Sequence, residues 1–290
     1  MLIRIGFDLA FQVPRPVPML LMLYTHPSQA PGLRQPEAIY SDPMLPIAGF
    51  MDNFGNRCGR IVAPVGPLQL RYENIYEDSG LPDATNPGAR QLEVAELPAD
   101  ALQFLLGSRY CETDRLSDVA WSLFGNTPPG WARVQAVCDW VHNNVKFGYE
   151  FARPTKTAYD VYIERRGVCR DFSHLLITML RCLNIPARYV TGYLGDIGVP
   201  FCPLPMDFSA WTEVFLDGNW FTFDGRHNMP RIGRIVMARG RDATDVAMTT
   251  SFGPTELKKF SVVTDEIPAP TVTVTTAPIA QPIPAAAMQS

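Results

Sequence analysis

The first part of the chain alternates apolar and polar side chains with the two-residue period of a β-strand. Apolar residues occupy every odd position from Ile3 to Val13, and the same alternation returns around 68–73. Between these segments, after an interruption by three prolines, an apolar run at 19–25 predicts a buried strand. The chain is therefore expected to begin with antiparallel β structure.

The apolar period changes after a segment rich in Pro, Asp and Gly at 78–90, which has the composition of a linker. Beyond it apolar residues recur at helical spacing. Helices are expected at 98–107, 113–124, 130–146, 157–165 and 169–183. Strands are expected again at 187–194, 210–216, 220–224 and around 260–263, with a hairpin turn at 217–219.

Together these patterns predict an α+β fold with two domains and a tail. An N-terminal antiparallel β domain with its linker covers 1–90, and a domain of helices and an antiparallel sheet covers 91–266. Residues 267–290 carry no charged side chain and consist largely of Pro, Thr and Ala. Such a composition cannot assemble a core, so a flexible tail is expected there.

Composition narrows the possible partners and cofactors. The net charge is −4 and no block of Lys or Arg occurs, so a nucleic acid partner is not expected. The six cysteines form no CxxC pair and there are four histidines, which indicates neither a zinc site nor a disulfide framework. No nucleotide phosphate loop is present. No cofactor and no metal site are therefore predicted.

The N-terminal segment does not have the pattern of a signal peptide. Arg4 and Asp8 fall inside what would have to be its apolar region. The apolar run from Met19 to Tyr24 is too short to cross a bilayer. The protein is therefore expected to be soluble and cytoplasmic, without a membrane partner.

The strongest chemical signal is Cys169, which directly precedes an apolar stripe of helical period. Gly167 permits a tight entry into the predicted helix. A helix N-terminus favours the thiolate, which is the nucleophilic form of cysteine, so a lowered thiol pKa is expected here. The alternative is an inert buried thiol, because cysteine is among the residues most often buried.

Cys169 lies in the segment RRGVCRDFSHLLITMLRCLNIPARYVTGYL, and the pattern continues through MDFSAWTEVFLDGNWFTFDGRHN. This pattern resembles the core of bacterial transglutaminase-like proteins, which are often peptidase-like. It covers about 130–265, and the preceding β region is similar to the β domain found before this core in bacterial members. A papain-like domain, with the nucleophile helix packed on an antiparallel sheet, is the fold that the resemblance implies.

The resemblance assigns the nucleophile to Cys169 and the acid that orients the base to Asp224. The family histidine precedes Ala-Trp, and here that position is Ser209. A serine hydroxyl cannot accept a thiol proton near neutral pH. Asp224 has the alternative role of capping the turn that follows its strand.

Several explanations of the missing histidine compete. Ser209 can be a single change, natural or engineered, that silences an active enzyme, in which case Ser209→His should restore activity. His227 can supply the base by reaching back from its loop, or it can be a loop histidine bonded to backbone. His174 is expected to be a packed core residue, because five helical positions turn it away from Cys169.

A cysteine acting without a histidine is a further alternative. Its thiolate would be favoured by the helix end and by Arg170 or Arg166, and such a site would be slow. Tyr149 is either an oxyanion donor or a core aromatic. Asp207 is expected to be a loop charge.

The strip 231–242 contains several arginines that could grip a substrate carboxylate. The interpretation preferred from the sequence is a solvated strand and turn. The arginines are Arg231, Arg234, Arg239 and Arg241.

The leading functional prediction is thiol-dependent acyl transfer on an amide or peptide bond through Cys169. Resolution of the acyl-enzyme by water would make the protein a peptidase or amidase, and resolution by an amine a transglutaminase-like ligase. The family resemblance implies peptide or protein substrates and ATP-grasp or proteasome-like partners. The competing class is a non-catalytic binding or scaffold protein that keeps the fold.

Overall fold

The computed structural model describes residues 1–203 and 205–268. The tail predicted at 267–290 lies outside the described residues from position 269 onward. The strands are β1 (Leu2–Val13), β2 (Val17–Leu21), β3 (Tyr40–Asp42), β4 (Ala48–Met51), β5 (Arg57–Ala63), β6 (Gly66–Glu77), β7 (Lys146–Phe147), β8 (Arg166–Gly167), β9 (Ala187–Tyr193), β10 (Ser209–Leu216), β11 (Asn219–Phe223), β12 (Ile235–Gly240), β13 (Thr249–Ser251) and β14 (Glu256–Ile267). The helices are α1 (Ala99–Leu102), α2 (Thr113–Phe124), α3 (Trp131–Asn144), α4 (Ala158–Glu164) and α5 (Cys169–Cys182).

The N-terminal region forms two antiparallel sheets, with strand orders β14-β1-β6-β3 and β13-β2-β5-β4. The odd-numbered apolar residues of β1 are buried, as the alternation predicts. The expected N-terminal antiparallel structure is therefore confirmed. Both sheets also contain a strand from the far end of the chain, because β14 pairs with β1 and β13 pairs with β2.

The second part of the chain places α5 against a sheet of order β11-β10-β9-β12. Helices α2, α3 and α4 pack around α5, whose residues from 171 to 182 are all buried. The opposite face of the sheet presents Tyr193, Ile235 and Met237 to the N-terminal strands. The sheet is thus covered on both faces, and the α+β prediction is confirmed.

The predicted helices at 113–124, 130–146, 157–165 and 169–183 correspond to α2, α3, α4 and α5 within two residues at each end. The helix predicted at 98–107 is shorter: α1 gives way to a single 3₁₀ turn at Gln103–Leu105. No helix within the described part of the chain is both long and apolar enough to cross a bilayer.

The N-terminus of α5 is held in place by Asp171. Its buried carboxylate accepts a hydrogen bond of 3.0 Å from the backbone amide of Val168. Gly167 makes this geometry possible, because a Cβ added there would lie 2.6 Å from the Cβ of Asp171. Cys169, one residue after the capping position, is thereby fixed at the first turn of the helix.

Candidate active site

Cys169 is half-buried at the head of α5 and faces the beginning of β10. The backbone amides of Ala210, on β10, and of Arg170 lie close enough to its sulfur to favour the thiolate. The nucleophile position is therefore set by two elements far apart in the sequence.

Cys169 lies where two cavities meet. The first, of about 290 Å³, also contains His227 in its wall and is called the His227 cavity below. The second, of about 510 Å³, contains Tyr189 and is called the Tyr189 cavity. The residues that line both cavities are Tyr149, Cys169, Asp207 and Phe208.

His227 is oriented by Asp224. Asp224 directly follows the end of β11. Its Oδ1 accepts hydrogen bonds from the backbone amides of Arg226 at 2.9 Å and of His227 at 3.1 Å. This turn brings the imidazole back, so that its Nδ1 lies 2.8 Å from Asp224 Oδ2. A carboxylate on Nδ1 fixes the ring and leaves Nε2 as the nitrogen that can exchange a proton with a partner.

Asp224 is itself held in the charged form. Its side chain is buried, and the Arg234 guanidinium donates to Oδ2 at 2.9 Å. Although burial opposes ionisation, the Arg234 charge and the His227 hydrogen bonds hold the pKa of Asp224 well below its ordinary value. Arg234 also donates from Nε to Asp83 at 2.8 Å, so the supposed linker at 78–90 contributes directly to the support of Asp224.

The structure brings together most of the residues singled out from the sequence. Cys169, Tyr149, Ser209 and His227 all line the His227 cavity, and Asp224 supports it from behind through the imidazole. Ser209 begins β10 opposite Gly192 of β9.

The thiol pKa differs from the sequence expectation. Burial, and after it the charge of Asp207, raise the pKa of Cys169 to about 11, although Arg226 and the two facing amides act in the opposite direction. A helix N-terminus carries only about half a unit charge. This partial charge does not outweigh desolvation beside a carboxylate, so the predicted lowering of the thiol pKa is wrong.

Alkylation of Cys169 by iodoacetamide is therefore expected to be slow at pH 7 and to rise towards a midpoint near pH 11. Such a pKa leaves roughly one thiol in 10⁴ ionised at pH 7, against about 3% for an ordinary thiol of pKa about 8.5. Peptide mass spectrometry between about pH 6 and pH 10, with N-acetylcysteine as the reference thiol, measures the profile. An alkylation rate of Cys169 at pH 7 equal to that of N-acetylcysteine would contradict the raised thiol pKa.

His174 is a core residue, as predicted. It is fully buried, its ring is stacked on Tyr110 at a centroid distance of 4.9 Å, and its Nε2 accepts a hydrogen bond from the backbone amide of Ala243 at 3.1 Å. Burial lowers its pKa to about 3. A neutral imidazole engaged in this way does not serve Cys169.

The prediction of a solvated strip at 231–242 is wrong. Most of β12 is buried, and Arg231 and Arg234 are buried as well. Arg239 pairs with Glu213 of β10 at 2.9 Å, and Arg241 pairs with Asp245. Two of the four arginines, Arg234 and Arg239, therefore form internal ion pairs, whereas the Arg241 side chain is 44% exposed.

Sequence reasoning missed two charged residues of the site, Asp83 and Arg226, and assigned a third, Arg234, to a solvated strand. Asp83 and Arg234 form the support behind Asp224, and Arg226 lines the cavity with its guanidinium 3.7 Å from the centroid of the Phe147 ring. The high density of arginines after Asp224 was the sequence signal that could have indicated a charged support for this carboxylate. Arg170 and Arg166, proposed as activators, instead pair with Asp171 and Glu164.

Comparison with known proteins agrees with this architecture. Residues 118–225 match the transglutaminase-like superfamily. The crystal structure of a candidate cysteine protease from Cytophaga hutchinsonii superposes with a TM-score of 0.80 at 29% identity, covering 93% of this chain and 91% of that one. An uncharacterized protein of Mycobacterium leprae is 29% identical over 194 residues, which are 64% of this chain and 67% of that protein.

Shorter matches occur with uncharacterized proteins of Mycobacterium tuberculosis and Mycobacterium bovis, which are 33% identical over 96 residues. Those matches span 31% of the mycobacterial proteins. Fold and site together define a transglutaminase-type core, in which a cysteine at the head of a buried helix faces an antiparallel sheet. The region that matches the transglutaminase-like superfamily, residues 118–225, contains both Cys169 and Asp224.

Proposed function

We propose that the protein catalyses thiol-dependent acyl transfer on an amide, with Cys169 as nucleophile, His227 as general base and Asp224 as the acid that orients the base. The observation that carries the proposal is that His227 lines the same cavity as Cys169 while its Nδ1 is bonded to Asp224. A nucleophile, a base within the same cavity and an orienting carboxylate are the parts that acyl transfer requires.

The raised thiol pKa assigns the base a specific task. Because Cys169 is protonated at neutral pH, its proton must leave as the sulfur attacks the carbonyl carbon. His227 Nε2 takes that proton, and the resulting imidazolium is stabilised by Asp224, which stays ionised. When the C–N bond breaks, the same nitrogen returns the proton to the leaving amine and an acyl-enzyme remains.

The developing oxyanion needs donors close to the sulfur. The backbone amides of Ala210 and Arg170 face Cys169 and are the candidates for this role. Tyr149, which lines both cavities, supplies a phenolic hydroxyl on the same side of the site. Burial raises its pKa, so the hydroxyl keeps its proton at neutral pH and can donate it in a hydrogen bond.

Ser209 is then a permissive residue. In the family pattern this position holds the histidine, whereas here the histidine follows Asp224 by three residues and enters the same cavity. A small side chain at 209 leaves room for an imidazole that approaches from the other wall. The proposed site would thus keep the aspartate of the family pattern, Asp224, and obtain its histidine, His227, from a different position in the sequence.

Peptides are the proposed substrates, on the strength of the similarity to the candidate cysteine protease. Water or an amine would resolve the acyl-enzyme, which gives hydrolysis or ligation respectively. A nucleophilic thiol has to remain reduced. Because the cytoplasm keeps thiols reduced, it is the compartment that we propose for the reaction.

The direct test is trapping of the acyl-enzyme. Incubation of the protein with a 4-nitrophenyl acyl ester is expected to add one acyl group to Cys169, seen by intact mass and peptide mapping. Cys169→Ser should remove this adduct, while Cys182→Ser, a matched change at the other end of α5, should retain it. Acylation of Cys169 no faster than that of the denatured chain would favour the non-catalytic scaffold.

A further inference from the structure

A groove on the solvent-facing side of the N-terminal sheet β14-β1-β6-β3 adjoins the active site. Its volume is about 310 Å³, and it is called the Gly6 groove below, because Gly6 of β1 lies in its wall and contributes no side chain to fill it. Val263 of β14 lines both this groove and the His227 cavity. The groove and the cavity are therefore neighbours on the two sides of one residue.

The strand register shows the direction in which the groove runs. Gly6 lies opposite Val263 of β14 and also opposite Glu73 of β6. Arg71, two residues before Glu73, is the partner of Tyr40 in β3. From β14 to β3 the sheet has three strand spacings, or about 14 Å at about 4.8 Å each. About four residues of extended chain cover that distance.

The charges of the Gly6 groove are balanced. Its wall contains two basic and two acidic side chains, which are Arg4, Arg71, Asp8 and Glu73. Arg4 pairs with Glu73 at 2.8 Å, and Asp8 pairs with Lys259 of β14 at 2.6 Å. A ligand of the groove is therefore expected to be recognised by its length and its apolar surface rather than by a net charge.

Tyr40 supplies an apolar surface at the far end of the groove. It lies in the groove wall, and it is 72% exposed. Tyrosine is enriched where proteins bind other chains, because its ring offers a large apolar area at a small cost in side-chain entropy. The groove thus joins a reactive cysteine at one end to an exposed aromatic ring at the other.

The position of His227 decides which part of a substrate faces the groove. In acyl transfer through a cysteine, the imidazole that removed the thiol proton must deliver it to the leaving nitrogen. His227 lines the cavity that Val263 separates from the groove. The leaving half of the substrate therefore lies on the groove side of Cys169.

We propose that the protein acts on extended polypeptides, whose leaving half runs from Cys169 past Val263 and along the Gly6 groove to Tyr40. The inference rests on the proposed function, since it takes the direction of the substrate from His227. The N-terminal β domain is then a substrate-binding surface, and Tyr40 is a specificity residue that favours long leaving halves over short ones.

Peptides with an activated disulfide test the groove without requiring catalysis. Ala-Ala-Phe-Ala-Phe-Ala amide and Ala-Ala amide, each with a 2-pyridyldithiopropionyl group on its N-terminus, compete for Cys169, and peptide mapping counts the two adducts. The hexapeptide is expected to be favoured about tenfold, relative to the same ratio for N-acetylcysteine amide, which is the effect of one good aromatic contact. Any change in thiol pKa alters both rates alike, so the ratio isolates contacts beyond the sulfur.

Tyr40→Ala should reduce the preference for the hexapeptide several-fold. The matched control is Phe252→Ala, because Phe252 is an aromatic residue that is 64% exposed and lines neither the Gly6 groove nor the His227 cavity. This variant should keep the wild-type ratio. A ratio equal to that of the free thiol, or one that Tyr40→Ala does not alter, would overturn the inference.

Peptide cleavage supplies the second measurement. Of two peptides with the same acyl half, the one with a six-residue leaving half should have a higher kcat/KM than the one with a single-residue leaving half. Tyr40→Ala should abolish that difference through KM, with kcat unchanged. Failure of the proposed function would be recognised separately, because the preference for the hexapeptide reagent would persist while neither peptide is cleaved.

Discussion

Replacing His227 by alanine is expected to lower kcat/KM for ester or amide cleavage by about 10²–10⁴-fold, the usual contribution of a general base. The loss should fall on kcat, because the imidazole acts on the thiol proton and on the leaving nitrogen. The pH dependence of the acylation rate should change in the variant, because the imidazole no longer takes the thiol proton. Stopped-flow acylation over a range of pH values gives both quantities.

Two variants distinguish a base supplied by His227 from the interpretation in which Ser209 silences the enzyme. His174→Gln removes the histidine within α5, which is a core residue bonded to Ala243, so its effect should appear in stability rather than in the pH dependence of acylation. Ser209→His tests the interpretation in which position 209 silences the enzyme. A wild-type protein without activity, together with an active Ser209→His variant, would contradict the role of His227.

Replacing Arg234 by methionine is expected to lower the free energy of unfolding at pH 7 by about 3–5 kcal/mol, the usual cost of removing one partner from a buried ion pair. Arg234 is bonded to Asp83 and Asp224, and its side chain is 5% exposed. Its loss leaves two carboxylates without their cation, one of which orients the proposed base. Chemical denaturation gives the stability, and the acylation rate should fall with it.

The pH dependence of that loss has a definite sign. In the wild-type protein the pKa of Asp224 is lowered, so the stability from its ionised form is present above the unfolded pKa and is lost only as pH falls through the lower folded value. Without Arg234 the carboxyl takes up its proton at a higher pH. The difference between variant and wild type should therefore narrow as pH falls.

The exposed ion pair of Arg4 with Glu73 provides the matched control. Arg4→Met removes the same kind of side chain from a strand surface, where water screens the charge. Its unfolding midpoint should stay close to that of the wild type at every pH. An Arg234→Met variant as stable as Arg4→Met would show that the buried ion pair contributes nothing measurable.

The expected positions of the helices followed from periodicity, because α2 and α3 each bury one apolar stripe and α5 carries a broad apolar stripe, although the structure buries α5 on every side. Strand β5 was missed: its segment, RCGRIVA, is short and contains a glycine and two arginines. Its burial depends on pairing with β2 and β4, which no local pattern specifies.

The sequence by itself determined the class of fold and singled out the residues that are proposed to react, because the apolar period and the motif around Cys169 are local properties. Only the tertiary structure decided how they meet. It brought β14 back to β1, placed Asp83 and Arg234 behind Asp224, and turned His227 into the cavity of Cys169. It also raised the thiol pKa, because desolvation and a charge such as that of Asp207 act through distance in space and not along the chain.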